Sequence, residues 1–167
     1  LFAIHAGLGE FPRIVYASGN VSDSFYDTAR VFNYADIYQV PVIHMLDKFI
    51  ASSVTTCERF DETKITINRG KLLDKISSDN YNRFAHTEDG ISPRSKLGLE
   101  NGIFWNTGDE SDVQGHISED PVNRVEMMDK RQSRLDYILK KIPESEQIVQ
   151  HSEGDFCIIS WGSTQGP

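Results

Sequence analysis

A strand–helix–strand pattern in the first third of the chain constrains the fold more than any other feature. Arg13-Ile14-Val15-Tyr16-Ala17 is a short apolar, β-prone run, bounded by Pro12 before it and Gly19-Asn20 after it. Ser22 reads as a helix N-cap, with Asp23 favourably placed in the first turn. Phe25, Ala29, Phe32, Ala35, Asp36 and Tyr38 then follow at helical spacing. Val40-Pro41-Val42-Ile43-His44-Met45-Leu46 is a second buried-strand run, with Pro41 tolerable at its start. Strand, helix and strand within about 35 residues make a βαβ unit, which predicts parallel strands and a right-handed crossover. The fold class expected is therefore α/β.

Charge and composition remove several function classes. The 167 residues carry 17 Lys+Arg against 25 Asp+Glu, a formal net charge of −8. A nucleic-acid binder normally shows a basic face, and an anionic membrane surface would repel this chain. Apolar residues at 38% exclude an intrinsically disordered chain. The longest apolar stretches, residues 14–17 and 156–159, are far short of the ~18 residues of a membrane span. Cys57 and Cys157 are far apart and have no metal-ligand spacing. That is the cysteine usage of a reducing compartment, and it places the chain in the cytoplasm.

Both ends are abrupt. Leu1-Phe2-Ala3-Ile4-His5-Ala6 reads as the interior of a helix with no cap before it. Asp155-Phe156-Cys157-Ile158-Ile159-Ser160-Trp161 reads as a buried strand, followed by the turn Gly162-Ser163-Thr164-Gln165-Gly166. A strand needs neighbours for its backbone groups, so the expectation is a piece of a longer polypeptide. Between these ends, Lys64-Ile65-Thr66-Ile67-Asn68 alternates like a short half-buried strand, and residues 77–120 are polar and irregular. Asp120 and Pro121 open a clear helix, with Val125, Met128, Gln132, Leu135, Leu139 and Ile142 as its stripe and Pro143 as its end. Glu126–Lys130 and Asp136–Lys140 have the spacing of favourable i,i+4 pairs. Residues 144–154 read as an acidic linker.

Few residues announce chemistry on their own. Gly7-Leu8-Gly9 is better read as a turn than as a dinucleotide fingerprint, because Pro12 stands where the third glycine belongs. The turn at 162–166 resembles a nucleophile elbow but carries Thr164 at its centre, so presentation of backbone N–H groups to an anion or a subunit is favoured. Asp109, Glu110, Asp112, His116, Glu119 and Asp120 form an acidic cluster without calcium-loop spacing, and a solvated loop is favoured over a metal site. His44, inside a strand, reads as a hydrogen-bonded core histidine, whereas His5 stands before a glycine turn and is placed to face a cleft. Thr87-Glu88-Asp89-Gly90-Ile91-Ser92-Pro93-Arg94 is rich in turn formers and would display Arg94 to a carboxylate or phosphate. The alternative is a surface arginine paired with Glu88 or Asp89.

Five strings occur in one order: Gly9-Glu10-Phe11-Pro12-Arg13-Ile14-Val15, Tyr38-Gln39-Val40-Pro41-Val42-Ile43, Glu88-Asp89-Gly90-Ile91-Ser92-Pro93-Arg94, Gly115-His116-Ile117-Ser118-Glu119-Asp120-Pro121 and Trp161-Gly162-Ser163-Thr164. Together they resemble the α subunit of 2-oxoacid:ferredoxin oxidoreductases, nearly end to end. The resemblance implies an internal fragment with three parts. Residues 1–54 would be the C-terminal half of a thiamine pyrimidine-binding, doubly wound domain. Residues 55–154 would be a connecting segment with a helix over about 121–142. Residues 155–167 would start a transketolase-C-terminal-like domain.

The same resemblance implies oxidation of a 2-oxoacid with coenzyme A to acyl-CoA and carbon dioxide, with ferredoxin as electron acceptor. Thiamine diphosphate and Mg2+ would be shared with a β subunit that also carries an iron–sulfur cluster. The family's glutamate, threonine motif and substrate-binding arginine match positions upstream of Leu1, so no catalytic residue and no metal ligand is assigned here. His5, Ser92 and Arg94 are the candidates for lining the cleft or its interface. Two other readings stand beside this one: a noncatalytic α/β protein-interaction module, and another thiamine enzyme of transketolase type.

Overall fold

The computed structural model describes residues 1–77 and 80–166; Ser78, Asp79 and Pro167 lie outside the described residues. The element order is β1 (Ile14–Ala17), α1 (Val21–Tyr38), β2 (Val42–Met45), α2 (Lys48–Ser52), β3 (Leu72–Leu73), β4 (Arg94–Ser95), α3 (Pro121–Lys141) and α4 (Glu144–Gln147). Short 3-10 turns occupy Glu62–Lys64 and Gly162–Gln165. The chain divides into two compact units, Leu1–Asn68 with Ile142–Pro167, and Arg69–Lys141. No helix among the described residues is long and apolar enough to cross a membrane.

The first unit contains the expected βαβ motif. β1 and β2 pair in parallel, Ile14 opposite Val42 and Ala17 opposite Met45. Ile14 N–H donates to the carbonyl of Pro41 at 3.0 Å, so the proline sits where its missing donor is not needed. The helix begins earlier than the sequence indicates: Asn20, not Ser22, is the N-cap, and its Oδ1 accepts from Asp23 N–H at 2.8 Å. Asn20 is as good a cap as Ser, and its extended backbone satisfies the geometry two residues sooner. The buried face of α1 is Asp27, Val31, Tyr34 and Tyr38, whereas Phe32 of the expected stripe is 69% exposed. Phe25 leaves the core to stack on Phe60 at 4.1 Å.

Three sequence expectations fail in this unit. Residues 65–68 are not a strand, because Asn33 takes their backbone groups, donating to Thr66 O at 2.6 Å and accepting from Asn68 N at 2.8 Å. Leu1 to Ala6 form isolated turns instead of a helix, and Leu1 and Phe2 are exposed. Residues 155–161 have no ladder partner among the described residues, and Phe156, Ile158 and Ile159 are all more than 90% exposed. A strand is a property of two segments, and this run meets no second one.

The second unit has little regular backbone apart from α3. β3 and β4 pair over two residues each. Asp120 and Pro121 start α3 as expected, Asp120 Oδ1 accepting from Val122 N–H at 3.0 Å. The buried face of α3 is Met127, Lys130 and Ile138, spaced three and eight apart. The expected stripe lies elsewhere on the same helix, and its Val125, Leu135 and Leu139 are exposed. Two apolar phases compete on this helix, and the one carrying a lysine is the one the unit buries. Ile91, at 2% exposure, is the best-buried apolar residue of the loops that cover it. Gly90 makes that approach possible: at φ +70° a Cβ would stand 2.7 Å from the Lys130 carbonyl oxygen.

Candidate functional site

In open α/β sheets the carboxyl ends of the strands are where ligands bind, so the site is built first around Ser18 and His44. Ser18 directly follows β1, His44 lies on β2 opposite Tyr16, and Asp27 is on the buried face of α1. Ser18 Oγ donates to Asp27 Oδ2 at 2.8 Å and lies 2.8 Å from His44 Nε2. The hydroxyl proton being spent on Asp27, Nε2–H is the donor to Ser18 Oγ. Tyr16 OH donates to Asp27 Oδ1 at 3.3 Å, and Arg30 Nη1 donates to both, at 2.7 and 2.9 Å. This polarity is the reverse of a nucleophilic triad, in which the imidazole accepts the serine proton. The group instead fixes the turn between β1 and α1, and His44 is the hydrogen-bonded histidine that the sequence indicates.

The turn at 162–165 does present an N–H to an anion, and the anion is the chain's own. Ser163 N–H donates to Asp47 Oδ2 at 2.7 Å, while Asp47 Oδ1 accepts from Ile50 N–H at 2.9 Å to cap α2. These bonds, led by Ser163, hold the Asp47 carboxyl below the usual carboxylate range. Gly162 permits the approach, because at φ +67° a Cβ would lie 2.7 Å from Asp47 Oδ2.

A second polar centre lies in the other unit. Lys130 is 7% exposed, and its Nζ donates to Phe84 O at 2.5 Å and to Ser92 Oγ at 2.7 Å. No carboxylate pairs with it among the described residues. Burial, and then the guanidiniums of Arg134, Arg83 and Arg131, push its pKa down to about 7. A cavity of about 230 Å³ opens beside it, lined by Phe84, Asn106, Thr107, Asp109, Glu110, Ser111, Met127, Lys130, Arg131 and Arg134. Arg131 forks onto Glu110 at 2.8 and 2.7 Å, and Arg124 adds a third bond at 2.9 Å. The Arg131 fork leads in holding Glu110 below its ordinary pKa. Arg134 Nε donates to Gly90 O at 2.8 Å, and burial followed by the charges of Arg83 and Arg131 lowers its pKa to about 10.

The three candidates from the sequence are separated by these contacts. His5 is exposed, on an N-terminal turn of the first unit. Ser92 is fully buried at 0% exposure in the second unit, donating to Ala85 O at 2.7 Å and receiving Lys130. Arg94 is half-buried on β4, with Nη2 on Arg69 O at 2.8 Å. Asp89, offered above as a partner for Arg94, pairs with Lys71 at 2.7 Å. The expected Glu126–Lys130 pair is also absent: Lys130 turns inward and Glu126 faces His86 at 3.9 Å. The helix phase of Lys130, three and four residues from Met127 and Arg134, was the signal that could have found it. A lysine in that phase is read more readily as a surface residue.

The acidic cluster is divided among structural roles, Glu110 to arginines and Asp112 to the N–H groups of Gln114, Gly115 and His116. Among the described residues no group of three or more His, Cys, Asp or Glu could hold a metal ion. Cys57 and Cys157 are free and exposed. Two free, exposed cysteines do not fit an iron–sulfur cluster, which is held by a set of Cys thiolates.

Residues 1–130 match the family described as "Pyruvate flavodoxin/ferredoxin oxidoreductase, thiamine diP-bdg". The chain belongs to this family. Over its whole length it is 44% identical to 2-oxoacid:ferredoxin oxidoreductase 2, subunit alpha, of Aeropyrum pernix, covering 26% of that protein. Against 2-oxoacid:ferredoxin oxidoreductase 1, subunit alpha, of Sulfurisphaera tokodaii it is 43% identical over 99% of its length, covering 27%. It superposes with a TM-score of 0.76 and 34% identity on a solved 2-oxoglutarate:ferredoxin oxidoreductase from Magnetococcus marinus with 2-oxoglutarate, coenzyme A and succinyl-CoA bound. That likeness covers 85% of this chain and 24% of the other. The chain thus spans about a quarter of the length of the relatives it matches.

Proposed function

We propose that this chain is part of the α subunit of a thiamine-diphosphate-dependent 2-oxoacid:ferredoxin oxidoreductase. Such an enzyme oxidises a 2-oxoacid with coenzyme A to acyl-CoA and carbon dioxide and passes the electrons to ferredoxin. The observation that carries this reading is the end-to-end identity with the Aeropyrum α subunit at 44%. Thiamine diphosphate supplies the electron sink for decarboxylation. We assign its diphosphate, Mg2+ and the iron–sulfur cluster to a β subunit.

In this assignment the chain's own residues build scaffold and wall. The Ser18–Asp27–His44 group fixes the carboxyl edge of the β1–β2 pair. Exposed His5 and half-buried Arg94 remain candidate contacts at the cleft or subunit interface, and Ser92 acts by holding Lys130. The two free cysteines support a cytoplasmic location. The test is to purify the complete α and β subunits together and assay thiamine-dependent dye reduction with pyruvate and with 2-oxoglutarate, each with coenzyme A. Reduction on either substrate is the expected result. No thiamine-dependent reduction on any 2-oxoacid overturns the reading.

A further inference from the structure

We propose that the cavity beside Lys130 is a binding site for a phosphoryl dianion, held by Lys130, Arg131 and Arg134. The site is built rather than incidental. Lys130 is 7% exposed, and its two hydrogen bonds go to neutral oxygens, Phe84 O and Ser92 Oγ, so its charge meets no opposite charge. Arg131 and Arg134 line the same cavity, one turn apart on the inner side of α3. Glu110 also lines it, but its two oxygens are already committed to Arg131 and Arg124. Asp109 is exposed.

A buried ammonium surrounded by guanidiniums is unfavourable until an anion enters, and a doubly charged one relieves more of that repulsion than a singly charged one. The volume of about 230 Å³ is ample for a phosphoryl group and its waters. Asn106, Thr107 and Ser111 add neutral polar groups to the lining, the Thr107 hydroxyl donating to Asp109 O at 3.3 Å. The occupant is either free phosphate or the phosphate end of a larger molecule.

Binding carries a proton with it. Bringing a dianion beside Lys130 favours its charged form, so the amine, whose pKa is about 7, takes up a proton at pH 8. At that pH the neighbours Arg83 and Arg134 keep their protons, Glu110 is ionised, and phosphate is mostly the dianion. The uptake therefore reports on Lys130.

The experiment is calorimetric titration of the complete α and β enzyme with inorganic phosphate and with methyl phosphate, at pH 8 in buffers of different ionisation enthalpy. The expected result is binding with net proton uptake by the wild-type enzyme. Lys130→Met should bind about tenfold or more weakly and lose the uptake. Lys130→Arg, which keeps the charge but cannot release its proton, should bind without uptake. Methyl phosphate binding as well as phosphate identifies a phosphate monoester as the source, and phosphate binding alone identifies the free ion. Should Lys130→Met fail to fold, the wild-type uptake and its loss in Lys130→Arg still decide. No binding, or binding whose proton uptake is the same in Lys130→Arg, overturns the proposal.

Discussion

The two compact units satisfy their backbones in different ways. In the first, a parallel ladder joins Ile14–Ala17 to Val42–Met45, and side-chain polar groups gather at the ladder's end around Ser18 and Asp27. In the second, the strands are two residues long, and cationic side chains do what a ladder would do. Lys130 Nζ meets the carbonyl of Phe84, Arg134 Nε meets that of Gly90, and Arg94 Nη2 meets that of Arg69. The lesson is that a polar, irregular segment can still surround a core when one long helix reaches out with lysine and arginine to pair its loop carbonyls. The energetic liability moves with them, from unpaired strand edges to buried positive charge.

That contrast is open to direct attack, and the largest effect is expected at Gly90. Gly90→Val places a branched side chain at φ +70° and against the Lys130 carbonyl, and should destabilise the second unit by about 3 kcal/mol or more. Denaturant unfolding, with amide exchange read separately in residues 14–45 and 84–138, checks this. Equal loss of protection in both regions would mean that the units unfold as one. Next is Ile91→Ala, expected to cost about 2–4 kcal/mol because Ile91 is 2% exposed. In the first unit, Tyr34→Phe removes a hydrogen bond to Glu146 and should cost only about 1 kcal/mol by the same measurement.

A pH series separates the units by sign. The Lys130 amine has an ordinary pKa of 10.5 and a folded value of about 7. The unfolded chain therefore binds more protons between these values, and stability rises as pH increases from 7 towards 10. Tyr34 works in the opposite sense: burial and Glu146 raise its pKa above 10.0, so the folded chain keeps a proton that the unfolded one loses. That favours unfolding above about pH 10. Thermal midpoints at pH 7 and 9 should show the rise in the wild type and little of it in Lys130→Met. The smallest effect belongs to the exposed stripe of α3. Leu135→Ser and Leu139→Ser should each change stability by no more than about 0.5 kcal/mol, while lowering self-association in light scattering.

The βαβ unit was legible because its signal is local. Apolar runs and a proline at the start of the second strand act within a few residues of where they stand, although the cap is Asn20 and not Ser22. The start of α3 was legible for the same reason, through Asp120 and Pro121. The covered faces of the two helices agree with their apolar stripes only in part, Tyr38 being buried as expected, because periodicity finds a stripe without saying which of its residues are covered. Phe32, Leu135 and Leu139 fit their helical periods well and are exposed all the same. The strands expected at 64–68 and 155–161 failed because pairing depends on a distant partner. At the first, Asn33 intervened, and at the second no described segment takes the role.

The sequence by itself determined the α/β class, the parallel pair, the long helix and the family, since all rest on short-range pattern or on identity of strings in order. Tertiary structure alone decided that Lys130 turns inward, that Ser92 is its partner, and that Asp47 accepts the N–H of Ser163 across 116 positions. Burial of a charge or a hydroxyl follows from what closes over it, and what closes over it comes from far along the chain.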